Sequence, residues 1–388
     1  MKKIAFINQR YGLEVNGGSE YYTRLIAEQL SDEYEVEVLT TKAVSYEDWS
    51  NYYEKDEEDI HRVHVRRFPV ACRRKTFWMK VLSKLIRTFH MNYKWLGDKW
   101  VKAQGPYSPE LIRYIREHED RYDVFVFVTY LYYPAVMGLP EVKDKAVLIP
   151  TAHDEPYIYF RTYRELFESP RAFVYLTDEE KKFVNRLFHN ESIPSVVTGV
   201  GVDVPEDVDN RRFREQYGIS GKYLIYVGRV DISKGCEQMI EYFERYSQLH
   251  PDVTLVIMGQ KFMEIPESPV IRYLGFVSEQ EKFDGIAGAT ALWLPSQFES
   301  LSISVLEAMT LAVPVLVNGN CEVLKGHCKK SNGGFAYEDE AQCVEAIDAL
   351  INDSQLRNQM SEAAQTYVET NYSWTCVRNA IKEILEGI

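Results

Sequence analysis

The stretch Tyr223-Leu-Ile-Tyr-Val-Gly-Arg-Val-Asp-Ile-Ser-Lys-Gly235 joins an apolar run to a polar loop. Its apolar part, which ends at Gly228, predicts a short buried strand, and the residues after the loop predict a helix that begins near Glu237. Ligands of open α/β sheets bind at the carboxyl ends of such strands. Arg229 and Lys234 lie there, and a forked guanidinium beside a mobile ammonium suits a diphosphate, which their charge would stabilise as a leaving group.

A second motif, Phe298-Glu-Ser-Leu-Ser-Ile-Ser-Val-Leu-Glu-Ala-Met309, follows another apolar run and leads into a predicted helix. The first backbone N–H groups of a helix have no partner within it, and they attract phosphate groups or hydroxyl-rich rings. The N–H groups concerned are those of Leu301, Ser302 and Ile303. The motif therefore predicts a site for an anion or a sugar at the start of this helix.

Two glutamates of this motif, Glu299 and Glu307, are eight positions apart. Glu307 lies inside the predicted helix, where a carboxylate can accept both hydroxyls of a ribose. Glu299 lies in the loop ahead of the helix and can face a donor sugar. Solvated glutamates near a helix are the alternative for either residue alone, but the presence of Arg229 and Lys234 upstream favours a sugar-nucleotide site.

These motifs resemble those of the retaining glycosyltransferases of family 4, which have the GT-B fold. The resemblance implies that Arg229 and Lys234 bind the donor diphosphate, that Glu299 lies at the transferred sugar and that Glu307 holds the ribose. It covers nearly the whole chain and is weakest at residues 42–120. This chain has Ser302 where the family usually has glycine, so a side chain stands where backbone alone usually approaches the donor.

The resemblance also assigns residues elsewhere in the chain. The loop Gly17-Gly18-Ser19-Glu20 matches a glycine-rich loop that opens the acceptor side, although the dinucleotide-binding glycine spacing is absent. His153-Asp154 matches the family's sugar-facing histidine, which implies a hydrogen bond to the donor sugar or a role in the transition state. Backbone contacts to the base are expected at Gly275, Phe276 and Val277.

The alternation of strands and helices predicts an α/β protein with parallel sheets, and 388 residues allow two domains. The strands are predicted at 3–8, 35–40, 63–68, 124–129, 146–151, 172–177, 223–228, 254–259, 271–275, 291–295 and 313–318. Residues 201–210 are the predicted hinge. We expect a GT-B arrangement of two Rossmann-like domains facing a central cleft, with residues 1–200 binding the acceptor and 201–371 the nucleotide sugar. The resemblance implies that a last helix, at about 372–388, crosses back to the first domain.

Composition narrows the class of protein further. The formal net charge is −13, and the six cysteines show neither zinc-site spacing nor a disulfide framework, so free and mostly buried thiols are expected. The chain contains no long apolar run and no signal-peptide pattern, which predicts a cytoplasmic protein. Because Arg229 and Lys234 already neutralise a diphosphate, neither a metal ion nor a cofactor is expected besides the nucleoside-diphosphate sugar.

Residues 73–102 form a basic segment, with nine basic residues and one acidic residue, Asp98. The apolar residues of this segment that recur at helical spacing are Trp78, Val81, Leu82, Leu85, Ile86 and Phe89. A basic amphipathic helix suits an anionic membrane surface and a lipid-linked acceptor. The alternatives are an ordinary domain helix with a solvated basic face, or one that bridges to the acidic stretch Glu54 to Asp59. Nucleic acid is disfavoured, because the acidic remainder would repel a polyanion.

Aromatic residues cluster in Tyr130-Leu-Tyr-Tyr133 and Tyr157-Ile-Tyr-Phe160, each just beyond a predicted strand. Such side chains pack on the apolar faces of sugar rings, so they could line the acceptor site. Chance clustering is the alternative, since the chain has 27 tyrosines.

The motifs predict a sugar-nucleotide site, and the resemblance implies a retaining, metal-independent glycosyltransferase with a front-face mechanism. It would move a hexose from a nucleoside-diphosphate sugar to a hydroxyl of a glycan or of a lipid-linked glycan precursor, in polysaccharide biosynthesis, in the cytoplasm or peripherally on the inner face of the membrane. Two alternatives stay open. One is a GT-B epimerase or phosphorylase, and the other is a non-catalytic partner subunit that binds a glycan or a second glycosyltransferase.

Overall fold

The computed structural model describes residues 1–15 and 17–388, and the chain in it divides into two compact units. Unit 1 comprises Met1–Val200 and Val377–Ile388, and unit 2 comprises Gly201–Cys376. The predicted hinge, residues 201–210, is part of unit 2, where the Asp209 N–H donates to Asp284 Oδ1 at 2.8 Å. The chain returns to unit 1 within its last helix, at residue 377.

Unit 1 is built on one mixed sheet whose strands, in the described residues, have the order β3-β4-β2-β1-β5-β6-β7-β8. The strands are β1 (Lys3–Ile7), β2 (Glu35–Thr41), β3 (Glu57–Ile60), β4 (Val63–Phe68), β5 (Val124–Val128), β6 (Ala146–Ile149), β7 (Ala172–Tyr175) and β8 (Ser195–Val197). All pairs are parallel except β3 with β4. The six predicted strands are confirmed to within a few residues. The edge strands β3 and β8 were not predicted, because β3 is mostly acidic and β8 is only three residues long.

The helices of unit 1 cover this sheet. They are α1 (Gly18–Leu30), α2 (Thr76–Thr88), α3 (Lys94–Gln104), α4 (Pro109–Glu117), α5 (Tyr133–Gly138), α6 (Arg164–Glu168) and α7 (Asp178–Phe188). Every residue of β5 is buried, as expected for a parallel strand that is covered on both faces. Phe125 and Phe127 of β5 share one apolar core with Leu82 and Ile86 of α2. Helix α2 is therefore anchored in unit 1 by its apolar residues.

Unit 2 contains a parallel sheet of strand order β11-β10-β9-β12-β13-β14 in the described part of the chain. The strands are β9 (Lys222–Val227), β10 (Val253–Met258), β11 (Ile271–Gly275), β12 (Ala291–Leu294), β13 (Val315–Asn318) and β14 (Gly334–Tyr337). The helices are α8 (Asn210–Tyr217), α9 (Cys236–Ser247), α10 (Glu279–Ala287), α11 (Ile303–Thr310), α12 (Glu322–Ser331), α13 (Glu340–Asn352) and α14 (Ser354–Asn371). The five predicted strands are confirmed. Strand β14 was not predicted, because Gly-Phe-Ala-Tyr has no β-branched residue.

The last helix, α15 (Trp374–Glu386), leaves unit 2 and ends in unit 1. Its residues Val377, Ile381 and Leu385 are buried. The Lys2 ammonium donates to the Leu385 carbonyl at 2.9 Å, and Lys382 pairs with Glu33. The helix thus returns to the first unit, as the predicted fold requires.

Two further sequence-based expectations can be compared with the structure. All six cysteines are free thiols, and Cys236, Cys321, Cys328 and Cys343 are buried, which confirms the prediction. Within residues 1–15 and 17–388, no helix combines the length and the apolar character needed to cross a bilayer.

Candidate active site

Both predicted motifs lie where the strand order of unit 2 reverses. Strands β9, β10 and β11 succeed one another towards one edge of the sheet, whereas β12, β13 and β14 continue on the other side of β9. The carboxyl ends of β9 and β12 therefore flank the switch point, which is the ordinary ligand site of a doubly wound sheet. Residues 228–235 follow β9, and residues 295–302 follow β12.

The loop after β9 is organised by Asp231. Its carboxylate pairs with the Arg229 guanidinium, and it also accepts from the Lys234 backbone N–H at 2.9 Å and from the Ser233 hydroxyl at 2.6 Å. Burial raises the pKa of Asp231, but the Ser233 hydrogen bond and the charge of Arg229 outweigh it and hold the pKa below its usual range. Asp231 thus stays ionised and fixes both cationic residues. Asp231 was not predicted from the sequence, although the preference of aspartate for helix N-cap positions could have indicated its role.

A charged contact joins the two motif loops. The Lys234 ammonium donates to Glu299 Oε1 at 2.7 Å, and both side chains are partly buried. Gly235 has a φ of +77°, and a Cβ at this position would lie 2.5 Å from the Pro295 carbonyl oxygen. Glycine is required here because the loop after β9 passes this close to the end of β12. The predicted diphosphate and sugar residues are therefore direct neighbours.

The start of α11 differs from a usual helix terminus. Ser302 is its N-cap residue and has φ +71° and ψ +87°, a left-handed conformation that glycine adopts most readily. The preceding carbonyl, of Leu301, lies 2.8 Å from Nε2 of the buried His327 in α12. Ile303 opens the helix. The predicted triad of Leu301, Ser302 and Ile303 is thus the turn into α11, held in place from α12.

Glu307 lies in the second turn of α11 and is only 4% exposed. The Lys282 ammonium, from α10, donates to Glu307 Oε1 at 2.6 Å. Burial raises the pKa of Glu307, and the nearby charge of Lys282 offsets this only in part. Lys282 was not predicted from the sequence, because its partner Glu307 lies 25 positions away and no motif contains both residues.

The predicted base-binding residues form the loop between β11 and α10. Gly275 has a φ of +75°, and its carbonyl accepts from the Gly259 N–H at 2.8 Å. The Phe276 side chain is 71% exposed, and Val277 is half-buried. This loop leads into the helix that carries Lys282. An exposed aromatic ring therefore lies on the same connection as the residue that contacts Glu307.

The glycine-rich loop of unit 1 precedes and begins α1. Gly17 is the N-cap residue and Gly18 the first helical residue. A Cβ at Gly17 would lie 2.3 Å from Glu20 Oε2, so the backbone passes close to that carboxylate. Glu20 is buried and accepts from Arg10 Nε and from Gln9 Nε2, each at 2.8 Å. A buried ion pair therefore fixes this loop.

His153 lies in the loop that follows β6, as predicted, and is half-buried. Its Nε2 is 3.7 Å from Glu155 Oε1, and the same carboxylate accepts from the Tyr130 hydroxyl. The preceding residue, Ala152, donates its N–H to the buried Glu180 at 2.5 Å. The candidate residues thus form two sets, one in unit 2 at the switch point and one in unit 1 at the ends of β1 and β6.

Part of unit 2 and the chain as a whole resemble known proteins. Residues 209–367, which lie within unit 2, match the family model for glycosyl transferases group 1. The chain is 27% identical over 198 residues to a putative glycosyltransferase, YtcC, of Bacillus subtilis (strain 168), covering 46% of this chain and 48% of the relative. It is 27% identical over 203 residues to the alpha-D-kanosaminyltransferase of Streptomyces kanamyceticus, covering 47% and 50%. It spans about half the length of these curated relatives.

Solved structures define the fold. Anabaena HepE in complex with UDP-glucose superposes with a TM-score of 0.74 at 16% identity, over all of both chains. Sucrose-phosphate synthase from Thermosynechococcus elongatus superposes with a TM-score of 0.72 at 13% identity, over 100% of this chain and 99% of the other. The protein therefore has the GT-B fold of glycosyltransferases. Residues 209–367 of its unit 2 resemble the glycosyl transferases group 1 family.

Proposed function

We propose that this protein transfers a hexose from a nucleoside-diphosphate sugar to a hydroxyl group, with retention of the anomeric configuration and without a metal ion. The contact between Lys234 and Glu299 at the switch point carries the proposal, because it unites a diphosphate-binding cation with a sugar-facing carboxylate. The group 1 family match of residues 209–367 supports a transferase, and Anabaena HepE, which shares the fold, forms a complex with UDP-glucose.

The donor would bind to unit 2. Arg229 and Lys234 would hold the diphosphate, and the backbone N–H groups of Leu301, Ser302 and Ile303, in the turn into α11, would add positive potential. Glu307, charge-paired with Lys282, would accept the ribose hydroxyls. The backbone at Gly275 and Val277 would read the base.

The Phe276 ring, which is exposed, would pack on that base, since aromatic rings favour stacked contacts. This role adds a side chain to a contact that the sequence assigned to backbone alone.

Retention would follow from front-face attack. As the bond from the anomeric carbon to the diphosphate oxygen breaks, that oxygen accepts the proton of the acceptor hydroxyl, and the new glycosidic bond forms on the same face. Arg229 and Lys234 stabilise the negative charge on the departing diphosphate. Glu299 would position the sugar and stabilise the positive charge that develops on it, and His153 would supply a hydrogen bond to the donor sugar or act in the transition state. Apart from the donor and the acceptor, every group that this scheme uses belongs to the protein itself, so the scheme requires no cofactor.

The acceptor would bind to unit 1, beside Gly17 and Gly18, and would be a glycan or a lipid-linked glycan precursor at the cytoplasmic face of a membrane. The basic segment supports a membrane contact. Leu82 and Ile86 of the predicted apolar face are buried in the core, but Trp78 and Phe89 are 55% and 59% exposed, and Phe77 beside them is 71% exposed. Aromatic side chains among lysines suit the interface of an anionic bilayer.

The acidic stretch does not neutralise this helix, contrary to one alternative drawn from the sequence. The acidic residues of this stretch pair instead with Lys42, which follows β2, and with two arginines of β4. The pairs are Asp56 with Lys42, Glu57 with Arg66, and Glu58 with Arg67. The basic residues of α2 therefore keep their charge available for another partner.

The first test is the thermal unfolding midpoint with UDP, GDP, dTDP and ADP in turn, at about 1 mM. A micromolar site adds about 4 kcal/mol under these conditions and a millimolar site about 0.4 kcal/mol. We expect one nucleotide to raise the midpoint selectively, and an Arg229→Ala, Lys234→Ala variant to abolish the rise. No rise with any nucleotide would contradict a donor site and favour the non-catalytic partner subunit.

A further inference from the structure

Unit 1 contains a surface cavity of about 880 Å³ beside helix α2. Helix α2 forms one wall with residues that recur every three or four positions, and the segment before β3 and the loop after β6 complete it. The residues that carry its chemistry are Tyr46, Arg74, Lys80, Lys84, Arg87 and Tyr157. The cavity combines cationic groups with two aromatic side chains.

Its charge is strongly positive in a protein whose net charge is −13. Lys80, Lys84 and Arg87 occupy one face of α2, and in residues 1–15 and 17–388 none of their side chains has an ion-pair or hydrogen-bond partner. Glu47 is the one carboxylate among the described lining residues. Three like charges on adjacent turns of a helix repel one another, so an anion between them would be strongly favoured.

A fourth cation is held rigidly at the wall of the cavity. Arg74 donates to the Tyr46 carbonyl at 3.0 Å and to Gln104 Oε1 at 2.6 Å, and its guanidinium lies 5.3 Å from the centre of the Tyr46 ring. Ser83, also in the lining, accepts from the indole of the fully buried Trp100 at 2.7 Å. The fixed positions of Arg74 and Ser83 make this a preformed site rather than a loose cluster of surface lysines.

The cavity adjoins two segments of unit 1 that have proposed roles, the glycine-rich loop at the acceptor and the loop that carries His153. The Arg10 guanidinium lies 6.0 Å from the centre of the Tyr46 ring, and Arg10 is paired with Glu20 of the glycine-rich loop. Tyr157 belongs to the loop that begins after β6 and contains His153. A ligand in the cavity therefore lies beside the residues expected to hold the attacking sugar.

We propose that this cavity binds a phosphate group of the acceptor, so that the acceptor is a glycosyl phosphate or diphosphate rather than a neutral glycan. Ammonium and guanidinium groups bind phosphate through charge-assisted hydrogen bonds, and the lining side chains Tyr46 and Tyr157 can contact an attached sugar ring. This inference rests on the proposed function, because it names the substrate class of the acceptor side. Its chemistry fits a soluble sugar phosphate and a lipid-linked diphosphate alike.

The test is calorimetric titration of the full chain with glucose 1-phosphate, with UDP saturating the donor site so that phosphate cannot bind at Arg229. A second arm uses sedimentation with neutral phosphatidylcholine vesicles that do or do not contain a polyprenyl diphosphate. The cavity variant carries Lys80→Gln, Lys84→Gln and Arg87→Gln. The control carries Lys181→Gln, Lys182→Gln and Arg186→Gln in α7, which removes the same charge from another helix of unit 1.

We expect the cavity variant to lose at least about tenfold in affinity for whichever probe binds, and the control to keep it, because charged hydrogen bonds contribute more than long-range charge. Loss with glucose 1-phosphate assigns a soluble acceptor, and loss only with polyprenyl diphosphate vesicles assigns a lipid-linked one. Absence of binding in both arms, or equal losses in both variants, overturns the inference. The thermal shift with nucleotide separates this outcome from failure of the proposed function, since it reports unit 2 and persists if only the acceptor assignment is wrong.

Discussion

Ser302 holds a backbone conformation that normally belongs to glycine, with a φ of +71° at the entrance to α11. Left-handed geometry costs a residue with a side chain about 1–2 kcal/mol. Glycine loses about 0.5–1 kcal/mol more conformational entropy on folding, so part of that cost is cancelled. The remainder is strain stored beside Glu299, in the loop that the proposed mechanism places at the sugar.

We predict that Ser302→Gly raises the free energy of unfolding by about 0.5–1 kcal/mol, measured by urea denaturation. Ser304→Gly is the matched control, because Ser304 lies in the first turn of α11 with a helical backbone. That change should lower the free energy of unfolding by up to about 1 kcal/mol. If both variants lose the same free energy of unfolding, the stabilisation that the Ser302 hydroxyl provides exceeds the cost of its left-handed backbone.

Glu307 allows a sharper test of donor geometry than removal of its side chain. Glu307→Gln keeps an oxygen for Lys282 but removes the negative charge, so the ribose hydroxyls lose a charged acceptor worth about 1.5–3 kcal/mol. We predict that the best-binding nucleoside diphosphate loses about tenfold or more in affinity.

The 2′-deoxy analogue of that nucleotide is the internal control. The wild-type protein should prefer the ribonucleotide, and in Glu307→Gln the ratio of the two dissociation constants should approach one. An unchanged ratio would remove the ribose from this contact. Lys282, which completes the contact, could not be found from the sequence, because α10 carries it to Glu307 only in the folded sheet.

At the scale of single elements, α7 connects three parts of unit 1 through one buried carboxylate. Glu180, in the first turn of α7, accepts from the Ala152 N–H at 2.5 Å and from the Leu176 N–H at 2.6 Å. Burial raises the pKa of Glu180 to about 8, and these two donors lower it only in part. The loop that carries His153 is thereby attached to the end of β7.

This shift sets the sign of a pH dependence. The pKa of Glu180 is about 8 in the folded protein against 4.5 for an ordinary glutamate, so between these values the folded state binds more protons than the unfolded one. We predict that the contribution of Glu180 to the free energy of unfolding falls as the pH rises through this window and is constant above it. Urea denaturation of the wild type and of Glu180→Gln should therefore show a smaller negative slope with pH in the variant.

Glu191→Gln, at an exposed position of the same unit, is the control and should leave the slope unchanged. A slope that becomes more negative in Glu180→Gln would mean that the two backbone donors outweigh burial and keep the carboxylate ionised.

Helix α2 shows how far an amphipathic pattern can be interpreted. Its spacing predicted one apolar face, yet the structure divides those residues between the core, where Leu82 and Ile86 lie, and the surface, where Trp78 and Phe89 are exposed. The period of a helix shows which residues share a side but not how deep each one lies, since depth depends on the neighbouring elements. The edge strand β3 escaped prediction for a related reason, because its acidic residues pair across to β4 and need no apolar partner.

The exposed aromatic residues give the membrane proposal a direct test. We predict that replacing Phe77, Trp78 and Phe89 by serine lowers sedimentation with phosphatidylglycerol vesicles at least about tenfold, because each ring loses about 1.5–3 kcal/mol of apolar transfer. The fold should persist, since these side chains lie outside the core. Tyr52→Ser is the control, as it is an equally exposed aromatic residue of unit 1 away from α2. Unchanged sedimentation of the triple variant would end the membrane proposal.

At the scale of the whole molecule, unit 2 is one continuous segment, whereas unit 1 is made from both ends of the chain. The chain passes from unit 1 to unit 2 before Gly201 and returns after Cys376, and the residues next to these two places contact each other within unit 2. The Trp374 indole donates to Asp203 at 2.8 Å, and a Cβ at Gly201 would lie 2.4 Å from the Trp374 ring. The sequence predicted the first crossing from a polar stretch. It could not locate the second, because residue 377 lies inside an uninterrupted helix whose pattern is the same on both sides.

We predict that the fragment 201–376 folds alone and binds the nucleotide with an affinity within about threefold of the full chain, because every residue proposed to contact the nucleotide lies in it. Calorimetry with the nucleotide selected by the thermal screen would measure this. Deleting residues 377–388 instead should leave nucleotide binding intact and lower the unfolding midpoint of unit 1. The reason is that unit 1 loses the apolar contacts that the buried side chains of Val377, Ile381 and Leu385 provide. Loss of nucleotide affinity in the fragment would show that unit 1 supplies part of the donor site.

The return of α15 also sets an order of events during synthesis. Residues 377–388 leave the ribosome after all of unit 2, so the half of the protein that is translated first cannot complete its structure first. Unit 2 has its entire sequence available while unit 1 still lacks a helix. The nascent chain therefore passes through a stage in which a completed unit 2 is tethered to a unit 1 that still exposes apolar surface, and exposed apolar surface of this kind is prone to aggregation.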